Sequence, residues 1–246
     1  MPKRTLISLK NVSNILWDKP VLKNITWSTE FGQSWGIIGP NGAGKSILMK
    51  IILGQLPYCG TIIRHKKISS FEKIVSVSFE QQKLIAIHEG KKDRYEEFSG
   101  KKENFLTGHE FIDPDNKKSK RLQIIAQQLN ISTILGKPIR HFSNGEMRKA
   151  LIVKALLTNP ELMILDEPFD GLDLSSVKWL KKTISKIINN GSTIWLVSHR
   201  FDEIVPEISN ILCLKSGKVF DQGLRQKILT PKAMQRLYKD DKLELD

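Results

Sequence analysis

Short runs of large apolar residues, separated by stretches with helical spacing, give this chain the pattern of an α/β protein. Four runs predict strands that are buried on both faces, and they occupy residues 34–38, 74–79, 162–165 and 193–197. Apolar positions three and four residues apart predict helices at 47–53, 122–129, 151–157 and 177–188. Gly54 and Gly191 follow the first and the last of these helices, where a glycine commonly ends a helix.

Four other segments follow different patterns. Residues 5–35 alternate apolar and polar side chains between turn signals, which predicts antiparallel strands with a turn at Asp18–Lys19. Residues 88–121 carry charges of both signs and few large aliphatic side chains, so they predict a solvated loop with some helix near 108–112, or else a surface for a partner. A hairpin is predicted over 211–223, and the chain from 230 is helical at first and then charged.

One loop between a predicted strand and a predicted helix has the spacing of a phosphate-binding site. It matches G-x-x-x-x-G-K-[ST] at every required position, and it reads Gly39-Pro40-Asn41-Gly42-Ala43-Gly44-Lys45-Ser46. The glycines let successive N–H groups turn toward a phosphate chain, and the helix N-terminus adds partial positive charge. We expect Lys45 to reach the β- and γ-phosphates of a nucleotide and Ser46 to ligate Mg²⁺.

Polar residues stand at the carboxyl ends of three other predicted strands, where ligand sites of doubly wound sheets lie. Asp166 and Glu167 end one strand; we expect Asp166 to hold Mg²⁺ through water and Glu167 to act as general base. His199 ends another strand and can touch the γ-phosphate. Gln81, with Gln82 as second choice, follows a third strand and can reach Mg²⁺ and the attacking water, although spacing alone favours a solvated strand end.

Two further features acquire a meaning only beside a nucleotide. Ser143 and Glu146 have capping-box spacing, so Ser143 and Gly145 are expected at a helix N-terminus, which is a position that receives anions. Trp17 lies on the predicted turn of the N-terminal strands. Its ring either stacks on adenine or packs on the small sheet, and the sequence leaves both interpretations open.

Composition limits the number of domains and the cellular compartment more than it limits the function. A chain of 246 residues with 40% hydrophobic content can fill the core of one large domain or two small ones. The formal net charge of +13 fits a nucleic-acid partner, an anionic membrane surface or simply a lysine-rich exterior. The two cysteines lie in no motif, and the sequence lacks both a signal-peptide core and a run of about 18 apolar residues. We therefore expect a cytoplasmic protein, either free or peripheral at the inner face of the membrane.

Taken together, these motifs resemble those of the ATP-binding cassette (ABC) ATPases over nearly the whole chain. Residues 39–46 are similar to the Walker A loop, 162–167 to Walker B with its catalytic glutamate, 143–146 to the signature and 171–173 to the D-loop, and His199 is similar to the switch histidine. The resemblance implies a P-loop NTPase fold in one domain, 1–246. That domain would combine a RecA-like core with a small antiparallel β lobe, mainly 1–35 and 59–80, and a helical lobe over about 82–158.

The same resemblance implies a partner. In this family, Mg²⁺ and ATP are sandwiched between the Walker A loop of one cassette and the signature of another, so Ser143 and Gly145 would contact the nucleotide of a second cassette. That cassette would come from a homodimer or from another chain.

Three places depart from the family pattern. Ile47 stands where a hydroxyl residue is common after the Walker A Ser46, although its backbone still belongs to the nucleotide-binding loop. Asn144 and Glu146 replace Gly and Gln in the signature, and Glu146 brings a negative charge toward phosphate. Leu16 stands where an adenine-stacking tyrosine is expected, with Trp17 one position later.

A narrower resemblance joins three segments, 142–149, 167–173 and 200–204, to the tandem-cassette molybdate-transport and photorepair ATP-binding proteins (the ModF/PhrA type). Those proteins carry two cassettes and this chain has one. We expect an ATPase that drives transport through a separate membrane subunit. Two alternatives are a soluble cassette protein that acts on nucleic acid or ribosomes, and an ATP-gated dimerisation module, which the altered signature would suit.

Overall fold

Two β-sheets organise the computed structural model, which describes residues 5–68, 73–78, 80, 82–85 and 105–239. The strands are β1 (Thr5–Leu16), β2 (Lys19–Glu30), β3 (Trp35–Ile38), β4 (Cys59–Arg64), β5 (Ile74–Ser78), β6 (Leu162–Asp166), β7 (Ile194–Ser198), β8 (Asn210–Lys215) and β9 (Lys218–Leu224). The smaller sheet is antiparallel in the order β2-β1-β4, and the larger has the order β5-β6-β7-β3-β8-β9. In the larger sheet, five strands run parallel and β9 alone runs antiparallel, against β8.

Helices flank the larger sheet, and several begin at residues that the sequence marks as caps. They are α1 (Lys45–Ile52), α2 (Gly108–Ile112), α3 (Ser119–Gln128), α4 (Ser132–Leu135), α5 (Asn144–Leu157), α6 (Leu174–Asn189), α7 (Arg225–Ile228) and α8 (Pro231–Tyr238). Thr107 and Ser143 each close a capping box, and the Asp173 side chain caps α6. Across the described ranges, every helix falls short of the length and apolar content that crossing a bilayer requires.

An apolar layer covers each face of the larger sheet. Ile37 and Ile38 are adjacent in β3 and belong to opposite layers, because successive side chains of a strand point to opposite faces. One layer joins the sheet to the small sheet and α1, with the Trp27 ring centroid 4.6 Å from that of Trp195 and 5.3 Å from that of Trp35. The other layer packs the sheet against α5, α6 and the helices of the 105–157 segment.

The predicted strands and helices are found, but the predicted β lobe needs a correction. The family resemblance implies that residues 59–80 belong mainly to that lobe, whereas among the described residues of this range only Cys59–Arg64 pairs with β1. Ile74–Ser78 instead pairs in parallel with Leu162–Asp166 and forms the edge of the larger sheet. Both segments are short apolar strands, and their composition does not reveal that β5 finds its partner about ninety residues further along the chain.

The strand order brings the predicted motifs to one edge. β6, β7 and β3 are neighbours in the larger sheet and run parallel. Their carboxyl ends therefore lie side by side, and the chain that leaves each strand meets the chain that leaves the next. Residues 39–46 follow β3, Glu167 follows β6 and His199 follows β7. The pairing of β3 with β7 thus brings together residues that are more than one hundred positions apart in the sequence.

Candidate functional site

The loop at 39–46 leads directly into α1, which begins at Lys45. Gly44 has a φ of +96°, and an ideal Cβ placed there would lie 2.5 Å from Leu22 Cδ2, so only glycine fits this turn. The buried Lys45 ammonium donates to the carbonyl oxygens of Gly39 at 2.8 Å and Pro40 at 3.2 Å. The loop thus has the strand–loop–helix context and the inward lysine of a phosphate-binding loop.

The Lys45 side chain faces Glu167 across the site. Its Nζ lies 3.5 Å from Glu167 Oε1, and only 5% of the lysine side chain is exposed. Burial lowers the pKa of Lys45, and the Glu167 carboxylate opposes that shift. A buried cation with incomplete compensation gains from the arrival of an anionic group such as phosphate.

Glu167 is held in place on three sides. Its N–H donates to Val197 O at 3.0 Å, which extends the pairing of β6 with β7 by one residue. Its Oε2 accepts from the His199 N–H at 3.2 Å and lies 3.0 Å from His199 Nδ1. Its φ of +48° is unusual for a side chain larger than glycine and costs on the order of 1 kcal/mol. The surrounding bonds keep this strained residue aimed between Lys45 and His199.

Asp166 and Ser46 fit a Mg²⁺ ion. The Ser46 hydroxyl lies beside the Asp166 carboxylate, while buried Oδ1 of Asp166 has no hydrogen-bond partner among the residues that the structure describes. Burial, together with the neighbouring Glu167 charge, raises the pKa of Asp166 to about 6. A buried carboxylate whose one oxygen has no partner in the described residues, next to a hydroxyl, offers the hard oxygen ligands that Mg²⁺ prefers.

The signature segment forms the start of α5 as predicted. The Ser143 hydroxyl accepts from Glu146 N at 3.2 Å, and Glu146 Oε2 accepts from Ser143 N at 2.7 Å. Gly145 is packed so tightly that an added Cβ would lie 2.3 Å from Ser176 Oγ. In the described part of the chain, no hydrogen bond joins residues 143–145 to residues 39–46. Within the described residues of one copy, the signature therefore makes no hydrogen bond to its own phosphate loop.

The Glu146 charge, which was expected to face phosphate, is turned toward Lys137. The Lys137 ammonium donates to both Glu146 oxygens, at 2.7 and 3.0 Å. Partial burial would raise the pKa of Glu146, but the hydrogen bonds from Lys137 and Ser143 outweigh it, and the pKa is lowered overall. The carboxylate thus stays ionised while its charge is balanced inside the helical segment.

The structure resolves some of the remaining sequence expectations. Trp17 is 94% exposed at the tip of the β1–β2 hairpin, so the alternative that it packs on the small sheet is wrong. Ile47 is partly buried and packs against the layer that holds α1, which gives the apolar replacement a structural role. Gln81 lies outside the described residues. The second choice, Gln82, is buried and directs its amide to Asn144 and Arg148.

Sequence reasoning missed three residues around the site. Glu80 follows β5, forms an ion pair with Lys50 at 3.0 Å, and contributes to the raised pKa of Asp166. Arg148 is 1% exposed and donates to Glu167 O at 3.3 Å. Lys137 forms the ion pair that balances the negative charge of Glu146. A signal for Arg148 existed, since it stands three residues before Leu151 on the inward face of a predicted helix, where a charge is rare unless it has partners.

These features define a class of protein. A parallel sheet carries a Walker A loop after its central strand, a carboxylate pair after the second strand along, and a histidine between them, which is the arrangement of a P-loop NTPase. The family model described as "ABC transporter" matches residues 22–170, and the chain belongs to this family of ATP-binding ATPases.

Known proteins similar to this chain carry the same family name. ModF, an ABC transporter ATP-binding protein of Escherichia coli (strain K12), is 32% identical over 214 residues, which cover 87% of this chain and 43% of ModF. The chain therefore spans less than half the length of that relative. The zinc import ATP-binding protein ZnuC of Hydrogenovibrio crunogenus is 30% identical over 246 residues, covering 97% of this chain and 89% of ZnuC.

Solved structures agree with the fold. CbiO1 from Clostridium perfringens, described as part of the ABC transporter complex cbiONQ, superposes with a TM-score of 0.75 at 22% identity, over 95% of this chain and 94% of that one. At this identity the likeness concerns the fold alone. None of these comparisons lends support to the nucleic-acid alternative.

Proposed function

We propose that this chain binds Mg-ATP in a sandwich with a second cassette and hydrolyses it to drive transport through a separate membrane subunit. The observation that carries the proposal is Glu167, which is fixed between Lys45 and His199 and next to the carboxylate of Asp166. The names of the relatives, ATP-binding proteins of ABC transporters and of zinc import, support the transport part.

Each side chain of the site takes a distinct role in this proposal. Lys45 binds the β- and γ-phosphates, and the loop presents its backbone through residues Gly39, Pro40, Asn41, Gly42, Ala43, Gly44, Ser46 and Ile47. Ser46 and Asp166 hold Mg²⁺, with Gln81 as a third contact. When bound there, Mg²⁺ would supply positive charge that offsets the charge developing on the phosphates.

Glu167 acts as general base toward the attacking water. Its carboxylate points into the site, and the backbone N–H of His199 keeps Oε2 in place. With Nδ1 3.0 Å from Glu167 Oε2, the His199 ring can present Nε2 to the γ-phosphate. His199 thereby couples the position of the base to the presence of the phosphate.

The second half of the site is supplied by another cassette. We propose that Ser143 and Gly145 at the N-terminus of α5 contact the γ-phosphate on the partner, where the helix end favours an anion. Trp17, exposed at the hairpin tip, is proposed to stack on adenine. The cassette would work on the cytoplasmic side, at the inner face of the membrane, within a single ABC domain.

The substitution Glu167→Gln tests this proposal. Glutamine keeps the shape of the side chain but cannot accept the proton of water, so ATP turnover should fall at least about a hundredfold while ATP binding persists. Size-exclusion chromatography with ATP should then show a trapped dimer that ADP does not support. Glu161→Gln, which changes a glutamate at the opposite end of β6, serves as the matched control. Unchanged ATP consumption by Glu167→Gln would rule Glu167 out as the base.

The transport part needs its own test. A membrane protein that copurifies with the chain should raise its ATP turnover when both are reconstituted in vesicles. If the reconstituted partner leaves turnover unchanged and ATP drives no solute movement, the proposed coupling to transport is wrong, while the hydrolysis mechanism can still hold.

A further inference from the structure

A buried series of hydrogen bonds joins the signature to the backbone of Glu167. Gln82 Nε2 donates to the backbone oxygen of Asn144 at 3.2 Å and to its Oδ1 at 3.1 Å. Gln82 Oε1 accepts from Arg148 Nε at 2.9 Å, and Arg148 Nη1 donates to Glu167 O at 3.3 Å. We call this series the Gln82–Arg148 bridge. Asn144 and Arg148 both belong to α5, and Gln82 holds the Arg148 guanidinium that joins this helix to the residue following β6.

Both side chains of the bridge are almost fully removed from solvent. Gln82 is 3% exposed and Arg148 is 1% exposed. Burial lowers the pKa of Arg148 to about 10, and the nearby Asp170 charge opposes the shift, so the guanidinium remains charged at neutral pH. Taking a charge out of water is costly, and hydrogen bonds to the charged group are stronger than neutral ones. A guanidinium also makes two directional bonds at once, which an ammonium on a flexible chain does not reproduce.

The bridge links parts of the molecule that belong to different nucleotides in a two-cassette sandwich. Asn144 lies between Ser143 and Gly145, which would contact the ATP held by the partner, and its Nδ2 is 3.5 Å from Gly171 O in the D-loop. Glu167 acts on the ATP held by its own Walker A loop. The bridge ends on the carbonyl of Glu167, the residue with a φ of +48°. A small displacement of α5 therefore reaches a strained backbone that aims the catalytic carboxylate.

We propose that Arg148 and Gln82 are positioning residues that make the alignment of Glu167 depend on the seating of the signature against the partner's ATP. This inference rests on the two-cassette sandwich proposed above. It assigns to each cassette an internal link between the two composite sites, so that hydrolysis in one site is sensitive to occupancy of the other. The hydrogen bonds that define the bridge do not involve the phosphate loop, so the bridge contributes to turnover and to cooperativity and leaves the binding of ATP to the single chain unaffected.

The test compares steady-state ATP hydrolysis of purified variants with that of the wild type. Arg148→Met removes the guanidinium at similar length, and Gln82→Leu removes both amide bonds. Lys154→Met is the matched control, because Lys154 is a partly buried cation on the same helix that donates to a backbone oxygen, Phe111 O at 2.8 Å, away from the bridge. Thermal melting and binding of a fluorescent ATP analogue to the monomer establish that each variant is folded.

We expect Arg148→Met to lower kcat about tenfold or more, with KM for ATP within about twofold of the wild type. The Hill coefficient should fall from above 1 to about 1, because the two sites no longer communicate. Gln82→Leu should give the same pattern, and the double variant should be little worse than either single one, since both break one bridge. Lys154→Met should leave kcat and the Hill coefficient unchanged. Arg148→Lys separates charge from geometry, and it should restore melting temperature without restoring cooperativity.

The inference is overturned if Arg148→Met and Gln82→Leu lower only the melting temperature and keep the wild-type Hill coefficient. It is also overturned if Arg148→Lys restores full cooperativity, because charge alone would then suffice, or if the wild type turns over ATP with a Hill coefficient of 1. A wild type that does not hydrolyse ATP or dimerise would instead refute the proposed function. The two failures are therefore distinguishable in the same set of measurements.

Discussion

Removing the buried charge of Asp166 should stabilise the nucleotide-free protein and abolish its use of Mg²⁺. Burial raises the pKa of Asp166 from 3.8 to about 6. A carboxyl whose folded-state pKa is raised contributes stability that is complete below pH 3.8 and is lost as the pH rises through 6. The difference of about 2.2 pKa units corresponds to about 3 kcal/mol at pH 8, where the carboxylate is ionised in both states. Asp166→Asn removes this cost.

Denaturation at two pH values measures the effect. The same linkage leaves about half of this cost at pH 5, so the advantage of Asp166→Asn should shrink by roughly half between pH 8 and pH 5. Urea titrations at both pH values measure the free energy of unfolding of the variant and the wild type. Asp115→Asn, at an exposed carboxylate, is the control. In the same variant, Mg²⁺ should no longer support ATP hydrolysis. An Asp166→Asn protein that is less stable than the wild type at pH 8, or equally more stable at both pH values, would refute the reasoning.

Three further substitutions probe other parts of the site. Lys45→Met should weaken ATP binding about a hundredfold by calorimetry, because a charge-assisted contact in a buried site contributes up to about 3 kcal/mol; binding within tenfold of the wild type would contradict the assigned role. Glu146→Gln should keep turnover within about twofold, since Lys137 already balances the charge, whereas Lys137→Met should lower turnover more; the reverse order would show that Glu146 acts on phosphate directly. ATP should quench tryptophan fluorescence in the wild type and much less in Trp17→Leu, whose affinity for ATP should fall about fivefold, as the loss of one aromatic stack predicts; equal quenching would place the adenine elsewhere.

The motifs that the sequence predicted correctly are those whose geometry is local. The phosphate loop, the capping box of Ser143 and Glu146, and the acids after β6 each depend on a few consecutive residues and on the element that carries them. The short-range spacing of these residues determines their positions at the ends of strands and helices. Because ligand sites of parallel sheets lie at the carboxyl ends of the strands, these residues are expected at one edge of the sheet. That is why Asp166, Glu167 and His199 could be expected near Lys45 before any contact was known.

The features that were missed depend on tertiary pairing. β5 has the composition of a strand in either sheet, and only its pairing with β6 assigns it to the larger one. The exposure of Trp17 depends on how far the hairpin extends beyond its neighbours. Gln82 and Arg148 are 66 residues apart in the sequence, and neither residue type predicts the hydrogen bond between them. No local pattern encodes contacts of this kind.

The signature shows how a tertiary contact changes the meaning of a sequence departure. A glutamate in place of glutamine suggested a negative charge beside phosphate and therefore a cassette that binds ATP but turns it over poorly. In the structure, the Glu146 carboxylate caps its own helix and pairs with Lys137 at 2.7 Å, so the helix N-terminus faces outward without an uncompensated anion. The partial positive charge of α5 remains available to a phosphate on a second cassette. The argument for a module that only dimerises therefore loses its electrostatic basis, and hydrolysis through Glu167 is the interpretation that the charges around both halves of the site favour.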